Sequence, residues 1–256
     1  MARRPDQSRQ HDHAICLRHW EWSETSQTVV LFARSAGLVR ALAKGSRRDR
    51  SPFSGGLELA TLGEILLIPK PAGQLAILAS WDLADPFSGI RRSLPAFRVA
   101  CALCDAIAHT LGEGDPHPEV FEAVVAALGS LSSDKPATTT GLWAIWRVLC
   151  EAGYRVELNA DVVTGERLGL DRPALAFRPA SGGFTIPGED AGSDPWLVRS
   201  ATIAALRQVD RSPDPVGCDV AADVASRGIR LLSAFLTEVL GRPVPALASL
   251  ADSVAG

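Results

Sequence analysis

Leu38-Val-Arg-Ala-Leu-Ala-Lys-Gly-Ser-Arg-Arg-Asp-Arg-Ser-Pro-Phe-Ser-Gly-Gly-Leu-Glu58 reads as an apolar strand, a glycine turn and a basic loop that leads into a second apolar strand. Arg34, Arg40, Lys44, Arg47, Arg48 and Arg50 carry six positive charges over residues 34–50 against one negative from Asp49, a local excess of +5. The whole chain has a formal net charge of -3. A basic segment on a slightly acidic molecule points to a polyanion as partner, held by a local patch and not by general basicity. Charge alone leaves open the plain alternative of a solvated loop with no ligand.

Strand signals extend on both sides of this segment. Ala14–Trp20 and Gln27–Arg34 precede it, the second rich in β-branched residues, and Ser35-Ala-Gly37 is a tight turn into Leu38–Lys44. Leu57–Ile68 and Gln74–Trp81 follow, joined by Pro69-Lys-Pro-Ala-Gly73. Five short strands within about 70 residues suit a small barrel such as the OB-fold, placed over 13–82. Residues 1–12 are polar and are expected to form a disordered tail. No apolar core of a signal peptide follows Arg3-Arg4, and no apolar run reaches membrane-spanning length. A cytoplasmic protein with no membrane partner is expected.

Beyond Asp82-Leu-Ala-Asp-Pro-Phe87 the period changes to that of helices. Ser93–Leu111 places Phe97, Cys101, Cys104, Ala108 and Leu111 on one face. Phe121, Val124, Val125, Leu128 and Leu131 form the stripe of a second helix after Pro118, and Leu142, Ile145, Trp146 and Leu149 that of a third. From about 153 to 195 the helical pattern gives way to an irregular insert with small strands. Helix resumes at Trp196–Gln208 and again at Val220–Leu240, whose inward residues are Ile229, Leu232, Phe235, Leu236, Val239 and Leu240, ended by Gly241 and Pro243. The expected class is α+β: a five-stranded OB-fold barrel, then a mostly α-helical domain over 83–256 that carries the insert.

Aromatics near the basic segment are candidate stacking platforms for bases. Trp22 and Phe53 fall in turns and are the better candidates, whereas Trp20, Phe32 and Trp81 read as core. Cys101-x-x-Cys104 lies inside an amphipathic helix with no second Cys or His pair at zinc-finger spacing, so core thiols are the simpler reading. The five cysteines, at 16, 101, 104, 150 and 218, form no even framework. The histidines at 11, 13, 19, 109 and 117 form no HExxH pair, and there is no GxSxG, Walker A or GxGxxG sequence. No catalytic constellation assembles, so an enzyme is not expected and no cofactor is implied.

The order of these motifs resembles the bacterial recombination mediator RecO family. Ala14–Ser26 with its Ser-Glu-Thr-Ser end, Val30–Arg48 with its Phe32 and Lys44-Gly-Ser-Arg-Arg48 strand end, Ser51, and Gly55-Gly-Leu-Glu-Leu-Ala-Thr-Leu-Gly-Glu64 carry the specific part. Pro116–Leu128, Leu149–Leu158 and Leu231–Gly241 with Arg242 carry the remainder, so that the resemblance spans about residues 13 to 250. It implies an OB-fold followed by a helical domain, binding of single- and double-stranded DNA, annealing of complementary strands, and help in loading RecA onto strands coated by SSB. It implies RecR and the acidic carboxy-terminal tail of SSB as partners. Many members of the family carry a four-cysteine zinc module in the insert. Here Asp161 and Thr164 stand where the first cysteine pair would be, and Ile186 and Glu189 where the second would be. No zinc is therefore expected, and the insert is expected to hold by packing of Phe177 and Phe184 around the Gly182-Gly183 turn.

The DNA-binding residues are then Arg34, Arg40, Lys44, Arg47, Arg48 and Arg50. A rival reading is an adaptor whose helical domain captures an acidic peptide, with Arg91 and Arg92 at the start of the first helix meeting it beside an apolar groove. A metal-dependent hydrolase is the weakest alternative.

Overall fold

The computed structural model describes residues 9–48, 50–71, 73–133, 135–188 and 196–254. It divides into two compact units. One comprises Met1–Ser88 with Leu111–Val125, the other Gly89–Thr110 with Ala126–Gly256.

The first unit is a closed barrel. Its strands are β1 (Gln10–Ser23), β2 (Ser26–Ala33), β3 (Gly37–Ala43), the short β4 (Phe53–Ser54), β5 (Leu62–Ile68) and β6 (Ala76–Asp85). β1 pairs antiparallel with both β2 and β5, β2 with β3, and β5 with β6. A parallel pairing of β3 with β6, in the register Ala41↔Ala76, Leu42↔Ile77 and Ala43↔Leu78, closes the ring. Five strands in this order make an OB-fold. Alternate residues point inward: Val29, Leu31 and Ala33 from β2, Ala41 and Ala43 from β3, Ile65 and Leu67 from β5, with Trp81 of β6 as the largest.

β1 begins at Gln10, four residues before the start that apolar content suggests. The polar Gln10–His13 pairs with Leu67–Glu64 of β5. Within it the Asp12 carboxylate accepts the Ser35 and Ala36 N–H groups at 2.9 and 3.0 Å, which fixes the β2–β3 turn. Residues 10–12 are thus strand and not tail, and residues 1–8 lie outside the described residues.

The outer face of β1 and β2 is apolar as well. Ile15, Leu17, Val30 and Phe32 are buried, and Phe32 meets Phe121 at 5.8 Å between ring centroids. The segment Leu111–Val125 therefore belongs with the barrel, although the change of sequence period suggests a boundary near 82. Gly37 permits this approach. Its φ is +69°, and a Cβ there would lie 2.2 Å from the Asp115 carbonyl oxygen.

The second unit contains α1 (Leu94–Thr110), α3 (Ala137–Glu151), α4 (Ser200–Arg211), α5 (Ala222–Leu240) and α6 (Pro245–Ser253). α2 (Pro118–Ser132) begins in the first unit and ends in the second. Glycines let helices approach: a Cβ at Gly141 of α3 would lie 2.8 Å from the Val99 side chain of α1, and one at Gly228 of α5 would lie 2.8 Å from Leu142. Two expected faces are corrected. Phe97 of α1 is exposed, and the buried face is built from Val99, Leu103, Ile107 and four alanines. On α5, Ile229, Leu232, Phe235 and Leu236 are buried as expected, but Val239 is exposed. None of the described helices is long and apolar enough to cross a membrane.

The insert is a four-stranded sheet in the order β10-β8-β9-β7, from β7 (Glu157–Asp161), β8 (Ala174–Arg178), β9 (Gly183–Thr185) and β10 (Trp196–Arg199). Trp196–Arg199 is therefore strand and not the start of a helix. Phe177 packs against Phe184 at 5.0 Å, Trp196 at 5.1 Å and Phe235 at 6.0 Å. Packing is only half of what holds the sheet. The buried Asp161 carboxylate accepts the N–H groups of Val163 at 2.8 Å, Thr164 at 3.1 Å and Ile186 at 2.9 Å, and the Thr185 hydroxyl at 2.8 Å. One carboxylate thus joins the turn after β7 to the end of β9, the two places where the resemblance sets cysteine pairs. These residues do not fit zinc. The Asp161 oxygens already accept four donors, Thr164 faces them with its N–H, and Ile186 has no ligand atom in its side chain. Glu189 lies outside the described residues.

Burial by itself would raise the Asp161 pKa. The hydrogen bonds from Ile186, Val163, Thr185 and Thr164 together outweigh it and hold the carboxyl below its ordinary value. The folded value is then lower than the unfolded one. The stabilisation is fully present above the ordinary carboxylate range and is lost as pH falls through the folded value. Asp161→Asn turns an NH2 toward N–H donors, and we expect it to cost about 2–3 kcal/mol in urea unfolding at neutral pH. The same variant should have a flatter stability profile below pH 4 than the parent. Equal stability of variant and parent at neutral pH would remove Asp161 as the tie.

Candidate nucleic-acid interface

The basic segment leaves the barrel where β3 ends, beside the tip of the β1–β2 hairpin. Short-range bonds latch the two together. Gly45, with φ +71°, donates its N–H to the Ser26 hydroxyl at 3.1 Å. The Ser46 hydroxyl bonds the Gln27 side-chain oxygen at 3.1 Å, and the Arg47 N–H reaches the Thr25 carbonyl at 3.2 Å. The Arg48 N–H returns to the Gly45 carbonyl at 3.2 Å, and the Arg48 side chain lies across that glycine. Serine, threonine and glutamine at 25–27 thus supply the partners that a free loop would take from water.

The six cations expected to bind DNA do not form one patch. Lys44, Arg47 and Arg48 gather at the hairpin tip, with Arg50 two residues on. Arg40 lies in mid-strand opposite Val30. Arg34 sits at the β2–β3 turn, the far end of a ladder that runs from Ala33↔Gly37 to Gln27↔Ala43. At the rise of a strand the ends of that ladder are about 20 Å apart.

Three of the six already hold a carboxylate. Arg34 pairs with Glu122 at 2.7 Å, Arg40 with Glu113 at 2.5 Å and Arg47 with Glu21 at 2.5 Å. Glu113 and Glu122 come from the segment that covers the barrel, far away in sequence. Lys44, Arg48 and Arg50 are exposed and have no carboxylate within ion-pair reach among the described residues. The local excess of positive charge is concentrated at these three.

Of the aromatics, Trp22 is exposed as expected, and so is Trp20, against the reading that placed it in the core. The pairing of β1 with β5 ends at Ile15↔Leu62, so both indoles lie on the part of β1 beyond it. Phe53 is half-buried against the barrel core, and Phe32 and Trp81 are buried. The cysteines offer no reactive group here. Burial, with the Glu58 carboxylate adding to it, pushes the Cys16 thiol up to about 12, and burial likewise takes Cys150 to about 12.

Arg91 and Arg92 are exposed in a 3-10 turn (Ser88–Arg92) just before α1, close in sequence to the exposed Leu94 and Phe97. A separate cavity of about 710 Å³ in the second unit is lined by Trp196, Leu197, Leu231, Arg199, Arg227 and Arg230, among others. Arg227 pairs with Asp223 at 3.0 Å, and its buried Nε has no hydrogen-bond partner among the described residues. No group of three or more His, Cys, Asp or Glu side chains among the described residues could hold a metal ion.

Comparison with known proteins covers almost the whole chain. Residues 8–87 match the family model described as Recombination protein O N terminal, and residues 91–248 match Recombination protein O C terminal. The chain is 28% identical over 235 residues to the DNA repair protein RecO of Rhodopirellula baltica, covering 91% of this chain and 86% of that protein. It is 32% identical over 202 residues to the DNA repair protein RecO of Salinibacter ruber, covering 77% and 76%. With both halves of the chain matched by its family models, this protein belongs to the RecO family of DNA repair proteins.

Proposed function

We propose that this chain is a DNA-binding recombination mediator of the cytoplasm that anneals complementary single strands and assists RecA loading on SSB-coated DNA. The observation that carries this reading is the latched basic loop with Lys44, Arg48 and Arg50 free of carboxylate partners among the described residues. Annealing needs no bond chemistry. Cations that neutralise two phosphate backbones let the strands approach, and base pairing supplies the rest. The pairs of Arg34, Arg40 and Arg47 are exposed, and such pairs are worth at most about 1 kcal/mol, so a phosphate can displace the carboxylate. Arg47, next to Arg48 in sequence, is the first recruit.

RecR and the acidic tail of SSB are the proposed partners, together with single- and double-stranded DNA. For the tail, two basic and apolar places in the second unit compete: Arg91 and Arg92 with Leu94 and Phe97, and the cavity around Trp196 with Arg199 and Arg230. An adaptor that captures the tail without annealing is the second reading, and the cavity is what favours it.

About four phosphate contacts to a single strand give a log–log salt slope near -3, and Arg47→Ala/Arg48→Ala should reduce it by about 1.4. Equal binding and annealing by the double variant and the parent would refute the basic loop as the site. Glu21→Gln frees Arg47 and should tighten binding at low salt by up to about fivefold, the equivalent of one exposed ion pair. For the tail, a labelled SSB-tail peptide titrated into the full chain should lose affinity in either Arg91→Ala/Arg92→Ala or Arg199→Ala/Arg230→Ala. If neither pair of substitutions weakens it, both places are wrong.

A further inference from the structure

We propose that Trp20 and Trp22 are a base-stacking element, which makes the hairpin tip a reader of single strands and not a general phosphate site. This rests on the DNA-binding reading above. Three of the six tryptophans, Trp81, Trp143 and Trp146, are 1–2% exposed. Trp20 is 50% and Trp22 64% exposed, and both lie within one short stretch of a single hairpin. Neither serves the barrel core. Two large indoles kept in water on one projection are what a ligand with flat apolar faces requires.

The backbone at this place is shaped, too. The ladder runs Trp20↔Thr28 and Glu21↔Gln27, then shifts to Ser23↔Ser26, so that Trp22 is the extra residue of a bulge. Bulges re-aim side chains and recur beside functional sites. The bulge is not forced by the turn, because Ser23↔Ser26 leaves a two-residue turn of Glu24 and Thr25.

Charge completes the match. Arg47 holds Glu21, the residue between the two tryptophans, at 2.5 Å. The loop that carries Lys44 and Arg48 is bonded to Thr25, Ser26 and Gln27 of the same tip. Cations for a backbone and π-faces for bases therefore sit on one latched unit. A single strand offers both phosphates and open base faces, whereas a duplex keeps its base faces inside the stack. Stacking is tolerant of sequence, because every base has a π-face. The arrangement also gives a route to release: once two strands pair, the bases leave the indoles and only the phosphate contacts remain.

The test uses the full chain with a fluorescent thymidine oligomer and a length-matched abasic oligomer, which keeps the phosphates and lacks the bases. The parent should bind the thymidine oligomer about tenfold more tightly than the abasic one. Trp20→Ala/Trp22→Ala should bind both as the parent binds the abasic oligomer, with an unchanged salt slope and an unchanged melting temperature. Trp20→Phe/Trp22→Phe should recover part of the difference. Equal affinity of the parent for the two oligomers, or a difference that survives in the alanine variant, overturns stacking and leaves the basic loop standing. If the parent binds neither oligomer, the basic loop fails as a DNA site and the stacking element fails with it.

Discussion

The parallel pairing of β3 with β6 is the constraint on which the first unit depends. β3 and β6 are far apart along the chain, and their pairing at Ala41↔Ala76, Leu42↔Ile77 and Ala43↔Leu78 turns an open sheet into a ring. Closure abolishes the sheet edges that would otherwise invite pairing with another chain. It also sets the size of the side chains inside. Ala41, Ala43 and Ala76 line the closing seam, Trp81 fills the interior, and a Cβ at Gly63 would lie 2.6 Å from its indole ring. Small residues at the seam and one large ring across from a glycine are a filling solution for a narrow barrel. Because the end of β3 is fixed by this seam, the loop that follows it leaves at a defined place. Gly45, Ser46 and Arg47 can then bond the β1–β2 tip, and the cations stand where the hairpin projects.

The second unit meets a different problem. A small insert with few buried residues lacks the area to hold itself. In the family pattern a metal joins its two turns. In this chain the joint is a carboxylate with four donors, backed by Phe177, Phe184, Trp196 and Phe235. The Arg207 guanidinium adds a second tie by donating to the carbonyls of Leu158 and Leu168. Both devices bring a charge to backbone dipoles in place of bonds from thiolates to a metal. A buried carboxylate that collects N–H groups is satisfied without a counter-ion.

What was legible in the sequence follows from the range of each interaction. β2, β3, β5 and β6 declare themselves through alternation and β-branched residues, which are local signals. The extension of β1 to Gln10 is silent, because Gln10-His-Asp-His13 is polar and is called into the sheet by β5. The buried face of α1 departs from the helical pattern for a related reason: helices that touch through alanine and glycine leave the largest side chain, Phe97, outside. Asp161 as a hub needs contacts with residues up to 25 positions away, and no local pattern announces it. The cations were legible as charges. Their partners were not, because Glu113 and Glu122 reach Arg40 and Arg34 only through the fold.

That difference between charge and available charge bears on how such a surface works. On the proposed annealing function, the protein has to hold single strands and then let a duplex go. Six unpaired arginines and lysines in one patch would bind the product, with its denser phosphates, more tightly than the substrate. Here carboxylates occupy three of the six, and the residues are spread along a strand with only the tip concentrated. On that reading the three ion pairs hold phosphate affinity down. Discrimination between strand and duplex, on the same reading, has to come from a group that sees bases, and exposed groups of that kind on the tip are the two indoles that flank Glu21 in sequence.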